Sequence, residues 1–365
     1  MPPTSKNLLA LGTACLTLAG CAETLIAPPR VGPVDLAQPW QTANAASLGV
    51  DDAGLGRAAE RADALERVQS LLVVRQGRLV MERYDDGFGR GDRADVRSVT
   101  KSVVSLLTGI ALDRGELPGL DATVGDLLPD RVAVVPEAQR GITLRHLLTM
   151  TGGWDWDEST AAGYNDWVSS GEHIGYLLAR PLANEPGARF SYNSAAVHLL
   201  GVILEEAVGP LPAYAQEHLF GPSGIGGAEW EPLGLGRVNG GSGIDLRPRD
   251  LARIGQLMVQ EGRSGDRQVL SSGWVDAATT PAAWRSTSGP LELSYGYLWW
   301  TDEANDAYFA WGFGGQFIYV APARDLVVVA TTRWRPRAGD PFPENIAMDV
   351  LALIIEEIVP AAPPV

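Results

Sequence analysis

The sequence predicts an α+β fold, with one sheet built from strands at both ends of the chain and a mainly helical lobe inserted between them. Three observations carry this. A β-hairpin pattern comes early, the periodicity from about 115 to 262 is helical with long loops, and β patterning returns near residue 297. At 365 residues the chain has room for one large domain or two medium ones. A two-lobed body of this kind offers a cleft where its lobes meet.

The elements follow in order. Residues 1–20 carry Lys6 and then an apolar run ending in small residues, which describes a secretory signal too short to span a membrane. Its end, Leu18-Ala19-Gly20-Cys21, resembles the bacterial lipoprotein box, which implies lipidation at Cys21. Ala22 in place of aspartate leans towards an outer membrane, facing the periplasm. Residues 21–50, with Ala27-Pro28-Pro29, Gly32-Pro33 and Gln38-Pro39, read as a lipid-anchored tether. The body is expected over 51–358.

Within the body, 51–69 is an amphipathic helix capped by Asp51 or Asp52. Leu71 to Asp85 is a hairpin turning at Gln76-Gly77. A helix starts near Ser98. Helical signals recur at 143–150, 166–180, 194–208 and 247–261, which places the lobe at about 115–262. Strands are expected at Tyr297–Trp300, Gln316–Val320 and Leu326–Thr331, and a closing helix at 343–358.

A net charge of −15 argues against a nucleic-acid partner, since phosphate backbones are held by clustered Lys and Arg. Apart from Cys21 the one cysteine is Cys15, inside the expected signal, so the mature chain has no internal disulfide. His146, His173, His198 and His218 show no ligand spacing, so no metal or other cofactor is expected. The basic residues are almost all arginine. The two lysines are Lys6 and Lys101, and cleavage after residue 20 leaves Lys101 alone. A lysine kept against that bias points to chemistry that arginine, never deprotonated in a protein, does not supply.

Ser98 lies three residues before Lys101, so on a helix the two share a face. A serine hydroxyl is a poor nucleophile until a base takes its proton. Neutral lysine does this once burial and cationic neighbours lower its pKa. Ser98 also opens the helix, where its N–H is free to stabilise an oxyanion. The bland alternative is a capping serine beside a snorkelling lysine. Ser105 is a rival partner that lies deeper in the helix. A Ser-His-Asp triad finds no G-x-S-x-G to stand on.

Arg97-Ser98-Val99-Thr100-Lys101-Ser102 before an apolar helix resembles the serine hydrolases of the penicillin-binding-protein and β-lactamase superfamily. The nearest branch holds class C β-lactamases, family VIII esterases and 6-aminohexanoate-dimer hydrolases. The segments Arg145–Gly153, Phe190–Ser194, Gly241–Ser242–Gly243 and Trp311–Gln316 agree with it in order and spacing. The resemblance implies a β-lactamase/transpeptidase-like antiparallel sheet and hydrolysis of a small ester or amide through an acyl-enzyme. Ser98 is then the nucleophile, Lys101 its base, and Tyr192 the proton partner of Lys101, as a phenolate beside an ammonium. The oxyanion hole is formed by the N–H groups of Ser98 and Gln316. Asn193, Ser194, Phe313, Gly314, Gly315 and Trp154 are expected to touch substrate. A β-lactamase or D-peptidase, or an inactive envelope binding protein of the same fold, is the alternative.

Two departures bear on substrate. Ser194 stands where the family's tyrosine motif has asparagine, and Phe313 where its third motif has lysine or histidine. A carboxylate-binding cation is therefore missing from that position, unless Arg333 or Arg335 replaces it. Trp154, Trp156, Tyr164 and Trp167 are expected either as lobe core or as an apolar pocket. Asp155, Asp157 and Glu158 read as solvated loop charges, and His146 as a buried, hydrogen-bonded structural histidine.

Overall fold

The computed structural model describes residues 32–234, 236–282, 284–285, 293–335 and 346–365. The expected signal and Cys21 lie outside these residues. Helix α1 (Asp52–Ala64) is capped by Asp51, whose carboxylate accepts from the N–H groups of Ala53 and Gly54. Strands β1 (Val68–Arg75) and β2 (Arg78–Tyr84) form the hairpin. Its turn puts both Gln76 and Gly77 at positive φ, the twist that a two-residue hairpin needs.

Helix α2 (Val99–Asp113) follows the hairpin, and every residue from Val99 to Ala111 is buried. After several short helical turns in the lobe, the longer helices are α3 (Ser194–Val208), α4 (Pro248–Val259) and α5 (Ser272–Thr279). The remaining strands of the large sheet are β3 (Trp284–Arg285), β4 (Leu293–Tyr295), β5 (Trp300–Asp302), β6 (Ala307–Gly312), β7 (Gln316–Ala321) and β8 (Leu326–Thr332), and shorter strands form a three-stranded and a two-stranded sheet beside it. Helix α6 (Ala347–Leu353) continues as a helical run to Ala361.

Among the described residues the eight strands make one antiparallel sheet in the order β2-β1-β8-β7-β6-β5-β4-β3. First and last parts of the chain therefore meet at β1–β8. The sheet is covered on both faces. Leu72, Val74, Ile318 and Val329 pack towards α2, α4 and the lobe, while Leu71, Val73, Phe317 and Val328 pack towards α1 and α6. Burial on both sides explains why β1 and β8 read as continuous apolar runs. Among the described residues no single helix is long and apolar enough to cross a membrane.

Several expectations change. The tether does not extend to residue 50. Leu36, Ala45, Leu48 and Val50 are buried, the Leu36 N–H donates to Ser264, and Trp40 donates to the Arg249 carbonyl. Proline-rich sequence without periodicity here is an extended strap on the body, held by side chains dispersed along it. The lobe also ends before 262, because α4 packs on β1, β7 and β8. The strand expected at Tyr297–Trp300 begins only at Trp300. Leu298 has φ 62° and donates its N–H to the Leu148 carbonyl, so this stretch is a turn. Strand β6 escaped the sequence reading, since its small residues interrupt the apolar run.

Two close contacts fix the frame. A Cβ on Gly109 would stand 2.4 Å from Trp274 Cγ, so glycine lets α2 lie against α5. Arg75 is fully buried and donates to the carbonyls of Leu48, Arg324 and Pro363, tying strap, hairpin end and C-terminus together. Replacing it strands three acceptors. Arg75→Met is expected to cost about 3 kcal/mol in denaturant unfolding. A change within about 0.5 kcal/mol, the usual scatter of surface substitutions, would show that the clamp is dispensable.

Candidate active site

The site is built around the start of α2. Ala94–Asp95 pair with Asp245–Leu246, and the Val96 N–H donates to the Ile244 carbonyl. Arg97 then takes φ 51°, an uncommon conformation for a bulky residue, and turns the chain sharply into the helix. Ser98 follows at the N-cap position with helical φ −69° and ψ −4°, and its side chain caps nothing. The capping reading of Ser98 therefore fails, and the hydroxyl faces Lys101 instead.

Lys101 is 1% exposed. Its Nζ lies 2.9 Å from Ser98 Oγ, 2.8 Å from Ser194 Oγ and 2.6 Å from the Gly241 carbonyl. Each contact has a local cause. Ser194 opens α3, one residue after Asn193, whose side chain accepts from the Ala196 N–H. The segment carrying Gly241 is pinned to α2 by Thr100 Oγ1, which accepts from the N–H groups of Gly243 and Ile244. A Cβ on Gly241 would stand 2.6 Å from the Ser194 carbonyl, so only glycine lets these two segments meet at Lys101.

Electrostatics follow from that burial. Loss of water pushes Lys101 down to about 7, with Glu158 opposing the fall and Arg97 adding to it. Tyr192 is half-buried, and its ring centroid lies 4.9 Å from Lys101 Nζ. Desolvation drives its phenol well above the usual value, and a hydrogen bond with Ser98 offsets this only in part. The expected phenolate–ammonium pair is therefore disfavoured. Burial penalises both charges, so Tyr192 stays a phenol and Lys101 is divided between ammonium and neutral amine near neutrality. Stacking on Trp300, 6.1 Å away at 23°, holds the Tyr192 ring.

The β6–β7 turn reaches Val96, in the segment that leads into Ser98. Gly312 pairs with Gln316, and a Cβ on Gly312 would stand 2.2 Å from the Val96 carbonyl. No side chain fits there, so the turn is held against the approach to α2. The Gln316 side chain is turned into the sheet, where it bonds Thr332 through both its oxygen and its nitrogen. Phe313 is 39% exposed at the rim, edge-on to Trp334. Gly314 and Gly315 both have positive φ, as the turn demands.

Several expected substrate contacts are placed elsewhere. Trp154 is buried, with its Nε1 donating to Gln139, because the lobe needs a core of its own. Trp156 and Trp167 belong to the same core, packed edge to face. Asn193 is buried as a helix cap. The Ser194 hydroxyl is occupied by Lys101 and Glu158. Arg333 reaches the Glu66 carbonyl, away from the site. Arg335 pairs with Asp95 at 2.8 Å and lies over Trp334. Ser105, buried inside α2 with no partner for its hydroxyl, is not among the oxygens bonded to Lys101 Nζ.

Other residues enter the site unannounced. Glu158, expected as a solvated charge, is half-buried and bonded to Ser194 Oγ, to the Ser194 N–H at 3.1 Å and to Trp156 Nε1 at 2.7 Å. Arg97 stacks over Trp334 at 4.3 Å and donates to the Tyr164 hydroxyl at 3.1 Å, which in turn meets Ser242 at 2.6 Å. The Gly241 carbonyl is the remaining one. Backbone acceptors leave no composition signal, and loop carboxylates are usually solvated. His146 is hydrogen-bonded as expected, completing a capping box with Thr143, but it is half-buried rather than buried.

Known proteins resemble this chain in sequence and in fold. A 6-aminohexanoate-dimer hydrolase of Paenarthrobacter ureafaciens is 26% identical over 290 residues, 73% of this chain and 72% of that one. Esterase EstB of Burkholderia gladioli is 32% identical over 176 residues, covering 42% of this chain and 44% of its own length. Unliganded simvastatin synthase of Aspergillus terreus shares the fold, with TM-score 0.64 over 85% of this chain and 98% of that one at 20% identity. The family described as beta-lactamase matches residues 64–353, a span that contains Ser98, Lys101, Tyr192 and the β6–β7 turn, and the chain belongs to that family as one of its serine hydrolases.

Proposed function

We propose that this serine hydrolase cleaves small esters or amides through an acyl-enzyme on Ser98, with Lys101 as the base. The observation that carries the reading is a fully buried amine 2.9 Å from Ser98 Oγ, depressed to about 7 by that burial. In the neutral amine, a lone pair is available to the Ser98 proton as Oγ bonds the carbonyl carbon. The N–H groups of Ser98 and Gln316 receive the oxyanion. Tyr192 gives its phenolic proton to the leaving oxygen or nitrogen and takes the former Ser98 proton from Lys101, which restores a neutral phenol and a neutral amine. Lys101 then takes a proton from the hydrolytic water and returns it to Ser98 Oγ as the acyl bond to serine breaks. The chain is read as needing no metal or cofactor, since the nucleophile and base are both supplied by its own side chains.

Ser98→Ala should abolish turnover while the protein still melts cooperatively, and a fluorophosphonate adduct should map to the Ser98 peptide by mass spectrometry. Lys101→Arg should be as inactive as Lys101→Ala, because a guanidinium does not accept the proton. Wild-type kcat/KM should rise with pH through about 7, as Lys101 loses the proton that blocks its lone pair. An adduct on Ser105 or Ser242, turnover by the arginine variant, or a flat profile from pH 5 to 9 contradicts the assignment.

Substrate class follows from the rim. Phe313 brings no charge, and Arg97 and Arg335 both lie beside Asp95, at 3.8 and 2.8 Å. Among the described residues both arginines at this rim are already engaged by Asp95, so a substrate carboxylate would compete with it for a charge-assisted contact, the kind roughly twice as strong as a neutral one. Short acyl esters should be preferred. kcat/KM for p-nitrophenyl butyrate is expected to exceed that for nitrocefin on one preparation, and the reverse order would identify a β-lactamase.

For location, we propose attachment to the cell envelope through a lipid on Cys21, in the outer membrane facing the periplasm. The lipobox-like Leu18–Cys21 supports it. Cys21→Ser should abolish incorporation of a clickable fatty acid, and equal labelling of the variant excludes the anchor.

A further inference from the structure

Glu158 has no part in the reaction just described, yet it is bonded to the one side chain that separates it from Lys101. Its Oε2 accepts from Ser194 N and Trp156 Nε1, and its Oε1 accepts from Ser194 Oγ. A carboxylate is acceptor-only, so the Ser194 hydroxyl proton is committed to Glu158. Towards Lys101, the Ser194 oxygen is then only an acceptor. The Gly241 carbonyl is an acceptor by nature. A neutral Lys101 amine has two protons and one lone pair. Its two protons go to Ser194 Oγ and Gly241 O, at 2.8 and 2.6 Å, and the lone pair is left facing Ser98 Oγ.

We propose that Glu158 is a positioning residue that fixes the polarity of the Ser194 hydroxyl and thereby aims the Lys101 lone pair at Ser98. The inference rests on the acyl-enzyme reading of Ser98 and Lys101. It also accounts for serine at the place where the resemblance expects an amide. A hydroxyl has one proton to commit, so a neighbouring anion determines which way it points. As Ser98 Oγ bonds the electrophilic atom, its proton passes to Lys101 Nζ, which then donates to all three oxygens. The bond to the leaving group breaks with its electron pair going to the departing atom.

The isosteric variant Glu158→Gln inverts this arrangement. The single amide oxygen satisfies Ser194 N–H and Trp156 Nε1, which turns the amide N–H towards Ser194 Oγ. The Ser194 proton then rotates towards Lys101 and competes for the lone pair. The charged and titratable groups acting on the Lys101–Tyr192 pair are Glu158 and Tyr164 from the lobe loop, Arg97 from the turn before α2 and Tyr295 from β4, whose ring lies 6.4 Å from that of Tyr192. Removing the Glu158 anion removes the charge that works against desolvation and Arg97, so the Lys101 midpoint moves to lower pH.

The test is the pH dependence of fluorophosphonate labelling on the full chain, with fluoride as leaving group and the adduct site read by mass spectrometry. For E158Q the alkaline plateau rate should fall at least about tenfold, with the midpoint below that of wild type. A plateau within about twofold of wild type overturns the proposal, as does a lower plateau with an unmoved midpoint. If E158Q melts early, Ser194 reads the same relay. Ser194→Ala should lose the plateau, Ser194→Thr should retain most of it, and equal rates for the two overturn the proposal. Wild type that takes no adduct on Ser98 overturns the acyl-enzyme reading together with this one.

Discussion

A primary amine withdrawn from water and held by three oxygens is the constraint around which the rest of the molecule is arranged. Burying an ammonium is costly unless its charge is compensated, and the usual outcome is a shift towards the neutral form. Lys101 meets that condition. It has oxygen partners for every proton, an anion one hydroxyl away, and a cation, Arg97, on the opposite side of the balance. Its charge is therefore marginal near neutrality. The same position filled by arginine would stay charged and would not fit the three-oxygen cradle.

The fold supplies that cradle from four separate parts of the chain. Helix α2 lies at the centre, covered along almost its whole length, so the lysine one turn from its start is out of solvent without any lid. Thr100, on the neighbouring position, accepts two backbone N–H groups and locks the 241–244 segment onto the helix. Asn193 caps α3 and so places Ser194. The β6–β7 turn approaches only because Gly312 presents no side chain to Val96. Each of these residues acts on the chemistry by fixing a neighbour within a few tenths of an ångström, the tolerance that proton transfer demands.

The fold was legible where burial patterns were one-dimensional. The hairpin at Gln76-Gly77, α1 with its Asp51 cap, and β7 and β8 all carry local signals that the tertiary structure does not override. The strap over 32–50 was not legible, because an extended segment docked by Leu36, Trp40 and Leu48 has no period to detect. At the site, Ser98 and Lys101 stood out through lysine's rarity and their helical spacing. Glu158 did not, since a carboxylate on a polar loop looks the same whether solvated or folded back onto Ser194. The Gly241 carbonyl was invisible for a simpler reason: every residue has one. Trp154 was misplaced because an aromatic beside a motif reads equally as pocket or as core, and only packing against Gly152 and Gln139 separates the two.

The scarcity of lysine gives the account a direct spectroscopic handle. Carbon-13 labelling at the lysine ε-position yields resonances from Lys6 and Lys101 at most, and Lys101→Arg assigns them. Titrated by NMR, the Lys101 signal should show a midpoint near about 7, far below the 10.5 of an ordinary lysine. A midpoint at the ordinary value would mean that Lys101 is a charged structural residue and that the base acting on Ser98 lies elsewhere.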